Sequence, residues 1–204
     1  MIAILDYGIG NVSSIKNMFK KIGAAATITS DISVIESATK IVLPGVGNFD
    51  YCMKQLRNAS FFQLLLQRVL AEKVPLLGVC VGCQMLMETS EEGNADGLGW
   101  IKGKVVRFDS SKANENIRIP HMGWTDVQPG KDSRVYKNIN EPRFYFVHSY
   151  HLQCENKEDV SATSFYGYEF AASVENRNIL GVQFHPEKSH KFGMQLYENF
   201  VNEY

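Results

Sequence analysis

A chain of 204 residues with 45% hydrophobic and 21% charged residues has the composition of a globular protein and enough length to bury a sizeable core. Its formal net charge of −1, with no block of Lys or Arg, excludes the basic footprint of a nucleic-acid-binding surface. Four cysteines in this length exclude a disulfide scaffold, and no apolar run approaches the roughly 18 residues that would cross a bilayer. The amino terminus enters a strand at once, without the basic and apolar regions of a signal peptide, so the cytoplasm is the expected compartment. No internal repeat or linker interrupts the chain, and a single domain over residues 1–204 is expected.

Residues 1–6 form a short apolar strand, broken by Tyr7-Gly8-Ile9-Gly10. Asn11 then opens a helix whose Ile15, Met18, Phe19 and Ile22 recur at helical spacing until Gly23. Two glycines in this turn are half of a dinucleotide fingerprint, but the third is missing from its place. A second strand is predicted over 25–29, a short helix capped by Asp31, and a third strand over 40–43. Pro44-Gly45-Val46-Gly47 follows, leaving unshielded N–H groups that suit either an anion-binding nest or a plain turn. Helices are predicted over 49–57 and 60–73.

Residues 75–79 read as a buried central strand, and 84–88 as a helix ending near Thr89. Between them lies Gly78-Val79-Cys80-Val81-Gly82, the spacing of a sharp strand-to-helix turn with a nucleophile at its apex. Glycines on both sides remove Cβ clashes where backbone must approach backbone. A thiol at such an apex, at the start of a helix, is favoured as the thiolate that attacks, and the following N–H groups suit an oxyanion. Cys80 also admits two other readings, an ordinary buried cysteine or a C-x-x-C redox pair with Cys83. The strand–helix alternation to this point implies a parallel sheet with its ligand site at the carboxyl ends of the strands.

After residue 97 the texture changes to short runs rich in Val, Ile, Phe and Tyr, at 104–108, 144–147, 160–164, 170–174 and 179–184. A strand-rich, partly antiparallel half is expected, closed by a helix over 188–204. The last strand leads into His185-Pro186-Glu187. A thiol nucleophile needs a base, and the base needs a partner to fix its tautomer; His185 and Glu187 have that chemistry. His121, His148 and His151 compete as bases, but none has an acid placed in this way.

Taken together, Gly78-Val79-Cys80-Val81-Gly82-Cys83-Gln84 and His185-Pro186-Glu187 resemble the class I (triad) glutamine amidotransferases. The ordered set Asp6-Tyr7-Gly8-Ile9-Gly10-Asn11, Pro44-Gly45-Val46-Gly47, Pro120-His121-Met122-Gly123-Trp124, Phe144-Tyr145-Phe146-Val147-His148-Ser149-Tyr150 and Gly181-Val182-Gln183-Phe184-His185-Pro186-Glu187-Lys188-Ser189 is similar to the glutaminase subunits of imidazole glycerol phosphate synthases, over the whole chain. The resemblance implies a three-layer α/β fold of flavodoxin-like type, with a mostly parallel sheet, a nucleophile elbow and a strand-rich C-terminal half. It implies Cys80 as nucleophile, His185 as proton shuttle and Glu187 as its orienting acid. Gly45, Val46 and Gly47 would form the oxyanion strand, and Gln84, Ser149 and Tyr150 would hold the glutamine. Ammonia would pass to a (β/α)8-barrel cyclase subunit, facing Asn11, Pro120, Met122 and Trp124, to give imidazole glycerol phosphate and an aminoimidazole carboxamide ribotide. No metal or organic cofactor is implied. Two alternatives accompany this expectation: the same chemistry feeding a sugar-amidating synthase of surface glycans, and a Cys-elbow thiol stress sensor. Cys83 stands where the family often has an apolar residue, which raises the expectation that oxidants link it to Cys80.

Overall fold

The computed structural model describes residues 1–113, 116–130 and 132–204. Its first half alternates strand and helix: β1 (Ile2–Leu5), α1 (Val12–Lys21), β2 (Ala26–Thr29), α2 (Ile32–Ser37), β3 (Lys40–Gly45), α3 (Phe49–Asn58), α4 (Phe62–Leu66), β4 (Leu76–Cys80) and α5 (Val81–Gln84). The second half is strand-rich: β5 (Thr89–Ser90), β6 (Gly103–Arg107), β7 (His121–Pro129), β8 (Arg143–His148), β9 (Tyr150–Cys154), β10 (Val160–Tyr166), β11 (Tyr168–Asn176) and β12 (Ile179–Val182), before the closing α6 (His190–Glu203).

One sheet runs through the described residues in the order β2-β1-β3-β4-β12-β11-β10-β7-β8. From β2 to β12 every neighbouring pair is parallel, and β12 closes the parallel set by running alongside β4. From β12 outward the pairs are antiparallel. The crossover from β1 to β2 moves one way along the sheet and the next two move the other way. Right-handed crossovers therefore put α1 on one face and α2 and α3 on the other. The contacts agree, since α1 packs on α6, and α2 and α3 pack on α4. Helix α1 seats Phe19 against Tyr197 of α6, ring centroids 4.7 Å apart. Asp31 caps α2 by accepting the Ser33 N–H, as its sequence position predicts.

Strand β4 is buried along its whole length between two parallel neighbours, which is why its sequence is a continuous apolar run. Two predicted helices differ from expectation. The segment 60–73 becomes α4 followed by a π-helical turn, Gln67–Ala71. The helix predicted over 84–88 does not form, because helix α5 ends at Gln84. Its continuation is unravelled by the incoming segment: the carbonyls of Met85, Leu86, Met87 and Glu88 accept N–H groups from residues 97–101. Strands β7 and β9, polar in composition, were not anticipated. No described helix is long and apolar enough to cross a membrane.

The elbow is closed by glycine contacts. A Cβ on Gly82 would lie 2.0 Å from the Leu43 carbonyl oxygen, and one on Gly45 2.2 Å from the Gly82 nitrogen. Neither neighbour is a flexible side chain that could yield. Gly82→Ala should therefore cost about 1–3 kcal/mol or more of unfolding free energy through overpacking, read as a lower midpoint in urea denaturation. A midpoint equal to that of the unaltered chain would contradict the packing described.

Candidate active site

A cleft of about 390 Å³ opens beyond the carboxyl ends of β3, β4 and β12. Cys80 stands at its base with φ 55° and ψ −114°, a conformation that non-glycine residues avoid. Such strain persists only where the surroundings over-determine it, and it concentrates at functional positions. Because α5 is a single turn, the helix-dipole support expected for a thiolate at Cys80 is small here.

His185 enters the cleft from the segment after β12. Its backbone is fixed on both sides: its N–H donates to the Tyr145 carbonyl at 2.9 Å, and its carbonyl accepts the Ser189 hydroxyl at 2.6 Å. The same Ser189 oxygen accepts the Tyr145 N–H, tying the turn to β8. The His185 side chain places Nδ1 2.8 Å from Glu187 Oε1, with both side chains buried. Nε2 makes no hydrogen bond and is left free on the Cys80 side. Burial alone would lower the His185 pKa, but Cys80 and Glu187 together outweigh it and raise it to about 10. His185 therefore holds a proton more firmly than a free imidazole does.

The Pro44–Gly47 segment lies along the cleft edge, with Val46 exposed and Gly47 in the left-handed region at φ 89°. Two side chains pin its carbonyls. The Tyr7 hydroxyl donates to Pro44, and the Cys52 thiol donates to Val46 at 3.3 Å. Gly10 packs directly on Pro44, so the first turn of the chain backs this strand. Opposite it, Gln84 Nε2 donates to the Tyr150 carbonyl at 3.2 Å and to Gln183 Oε1 at 3.0 Å. The Tyr150 carbonyl can only accept, which fixes the orientation of the Gln84 amide.

Of the residues singled out in sequence, Cys80, His185, Val46, Gly47, Gln84, Ser149 and Tyr150 line this one cleft. Glu187 lies behind His185, and Gly45 is buried against Gly82. Cys83 is apart from them. Its side chain is fully buried, and a Cβ on Gly181 would lie 2.5 Å from its sulfur. From α5 it packs against β12, and burial pushes its thiol well above the ordinary range. Sequence reading gave no role to Glu92 or Lys188, which also line the cleft, and named His148, a third such residue, only as a competing base. Glu92 sits close by the start of α3, accepting the Phe49 N–H at 2.9 Å, and burial raises its pKa against the lowering by that bond. The acidic pair Glu91-Glu92 just before Gly93 was the available signal.

A profile of the glutamine amidotransferase class-I family matches residues 3–204. The chain belongs to this family. It is 50% identical to imidazole glycerol phosphate synthase subunit HisH 2 of Methanococcus maripaludis over 204 residues, covering 100% of each chain. It is 45% identical to the imidazole glycerol phosphate synthase subunit HisH of Bdellovibrio bacteriovorus, covering 98% of each. Among solved structures, PurLQS from Thermotoga maritima superposes with a TM-score of 0.73 over 99% of this chain and 97% of that one. At 16% identity that likeness shows a shared fold alone. The chain is an enzyme of the glutamine amidotransferase class.

The raised pKa of His185 has a stability consequence of definite sign. A group protonated more readily in the folded state stabilises most below its unfolded pKa, near 6.5, and that contribution is lost as pH rises toward about 10. Removing the charge in Glu187→Gln should thus open a stability gap that is wide at pH 6 to 7 and narrows toward pH 10. Denaturation midpoints across that range measure it, and a gap that widens with pH would refute the ion pair.

Proposed function

We propose that this chain is the glutaminase subunit of an imidazole glycerol phosphate synthase of histidine biosynthesis. In this reading it hydrolyses glutamine to glutamate and ammonia and passes the ammonia to a (β/α)8-barrel cyclase subunit. The observation that carries the proposal is the meeting of a strained Cys80 and a Glu187-bonded His185 in one cleft, in a chain half identical to such a subunit along its entire length.

The chemistry follows from the groups present. The Cys80 thiol gives its proton to His185 Nε2 as the sulfur attacks the side-chain amide carbon of glutamine, forming a C–S bond and moving an electron pair onto the amide oxygen. That oxyanion is met by the N–H of Val81 and by the strand 45–47. His185, now protonated, gives its Nε2 proton to the nitrogen, and the C–N bond breaks to release ammonia and leave a glutamyl thioester. The again neutral His185 takes a proton from water as it attacks the thioester, and returns it to the Cys80 sulfur as the C–S bond breaks and glutamate departs. Glu187 holds the ring and balances the imidazolium throughout. Ser149 and Tyr150 hold the backbone end of the glutamine, Gln84 offers its carbonyl oxygen, and the Glu92 carboxylate suits the α-ammonium.

The decisive assay is glutamate release from glutamine, with and without the cyclase subunit and its ribonucleotide substrate. Weak release by the chain alone and strong stimulation in the assembly are expected, because the strand 45–47 must be set for oxyanion binding. Cys80→Ala should lower glutamine-dependent synthesis by at least about a thousandfold while sparing synthesis from added ammonia. High turnover by the chain alone would contradict the coupling. Stimulation by a sugar-amidating synthase instead of the cyclase would move the acceptor to that chemistry.

A further inference from the structure

We propose that His121 and His148 form a positioning pair that holds the Tyr150 carbonyl, and through it Gln84 and the bend at residues 149–150, in the geometry that receives glutamine. The proposal rests on the reading of the cleft as a glutamine site. Neither histidine takes part in the proton transfers assigned to His185.

The pair arises from strand register. Strands β7 and β8 run antiparallel with His121 directly opposite His148, so their side chains share one face. His121 Nδ1 lies 2.9 Å from His148 Nε2, and His148 Nδ1 lies 2.7 Å from the Tyr150 carbonyl oxygen. At the far end, His121 Nε2 lies 2.8 Å from the Thr125 hydroxyl. A single group assigns every proton in this series. The Tyr150 carbonyl can only accept, so His148 carries hydrogen on Nδ1 and its neutral ring accepts at Nε2. His121 must then donate from Nδ1 and accept at Nε2, and the Thr125 hydroxyl donates to it.

Both rings must be neutral for this series to hold, and their surroundings make them so. His121 is stacked between Tyr166, ring centroids 4.1 Å away, and Phe146, at 5.0 Å. Phe108 closes on both histidines, at 6.1 Å and 5.1 Å. Burial in this aromatic box lowers His121 to about 4 and holds His148 well below its ordinary value. The Tyr150 carbonyl consequently has two fixed donors, His148 Nδ1–H and Gln84 Nε2–H. Loss of the first leaves the second to define the bend alone.

The test separates recognition of glutamine from reactivity of the thiol. The full chain is labelled at Cys80 with 6-diazo-5-oxo-L-norleucine, a glutamine-shaped diazoketone, and in parallel with iodoacetamide, which needs only the sulfur. His148→Phe keeps the ring and loses both hydrogen bonds. It should raise the half-saturating diazoketone concentration about tenfold, the effect of one lost hydrogen bond to a buried carbonyl. His148→Asn, whose amide nitrogen replaces Nδ1, should stay within about threefold of the unaltered chain on the same reasoning. An unchanged half-saturation in His148→Phe, or equal impairment of the Asn and Phe variants, would overturn the proposal. So would a parallel loss of iodoacetamide reactivity, which would mean general damage to the site. Nitrogen-15 imidazole spectra of the unaltered chain should report hydrogen on Nδ1 of both rings, and hydrogen on Nε2 of His148 would refute the pair. Absence of diazoketone labelling in the unaltered chain, both alone and assembled with the cyclase subunit and its ribonucleotide substrate, would instead defeat the glutamine reading, and the imidazole spectra would still decide the pair.

Discussion

Holding Cys80 at φ 55° and ψ −114° is the constraint on which the rest of the molecule depends. A non-glycine residue in such a conformation costs on the order of 1–3 kcal/mol, and it relaxes unless its neighbours forbid every alternative. Here the prohibition comes from the sheet. Strand β4 has parallel partners on both sides, with Gly45 opposite Cys80 on one and Val182 opposite Val79 on the other. Glycines at 45, 78 and 82 let three stretches of backbone meet where any Cβ would collide. The same contact therefore strains Cys80 and lays Gly45 against the elbow. Residues separated by about half the parallel sheet in sequence become neighbours through register alone.

The antiparallel half serves that arrangement. Because β12 pairs in parallel with β4, the chain leaving β12 emerges on the same edge as Cys80, three residues before His185. Strand β8 then fixes the His185 backbone through Tyr145, with Ser189 bridging the two. Helix α6 completes the clamp, since a Cβ on Gly193 would lie 1.8 Å from the Pro186 carbonyl oxygen. His185 is held by backbone, leaving its side chain only the Glu187 bond and the open side toward sulfur.

Much of this was legible in the chain because the parallel half is covered on both faces. Its strands are apolar runs, and its turns are marked by glycine, so β1 to β4 and the elbow stand out. Glu187 was legible because it lies two positions from His185 across a stiff proline. What escaped owes its role to register rather than to spacing. Strand β7 carries Gly123, Thr125, Asp126 and Gln128 and is buried mainly at His121 and Val127, so no apolar period announces it. Its partner pairing was invisible for the same reason, and with it the role of His121 and His148. Residues 84–88 read as a helix because they are good helix formers; the N–H groups that take the carbonyls of 85–88 come from residues 97–101, outside that window. Cys83 looked like a redox partner by spacing, while its burial against Gly181 is a fact of packing.

The buried histidines show how environment, rather than residue type, assigns chemistry. His121, His148 and His185 are all removed from water, and burial pushes each toward neutrality. Only His185 meets a carboxylate and a sulfur, and these turn its pKa upward to about 10. His121 meets aromatic faces and falls to about 4. His148 meets a carbonyl that favours its proton slightly, yet neighbouring histidines, His185 included, disfavour a second charge. A cation at His185 and a neutral ring at His148 are thus mutually consistent states. One imidazole is given an acid and the other a carbonyl, and within one cleft their proton affinities are driven in opposite directions.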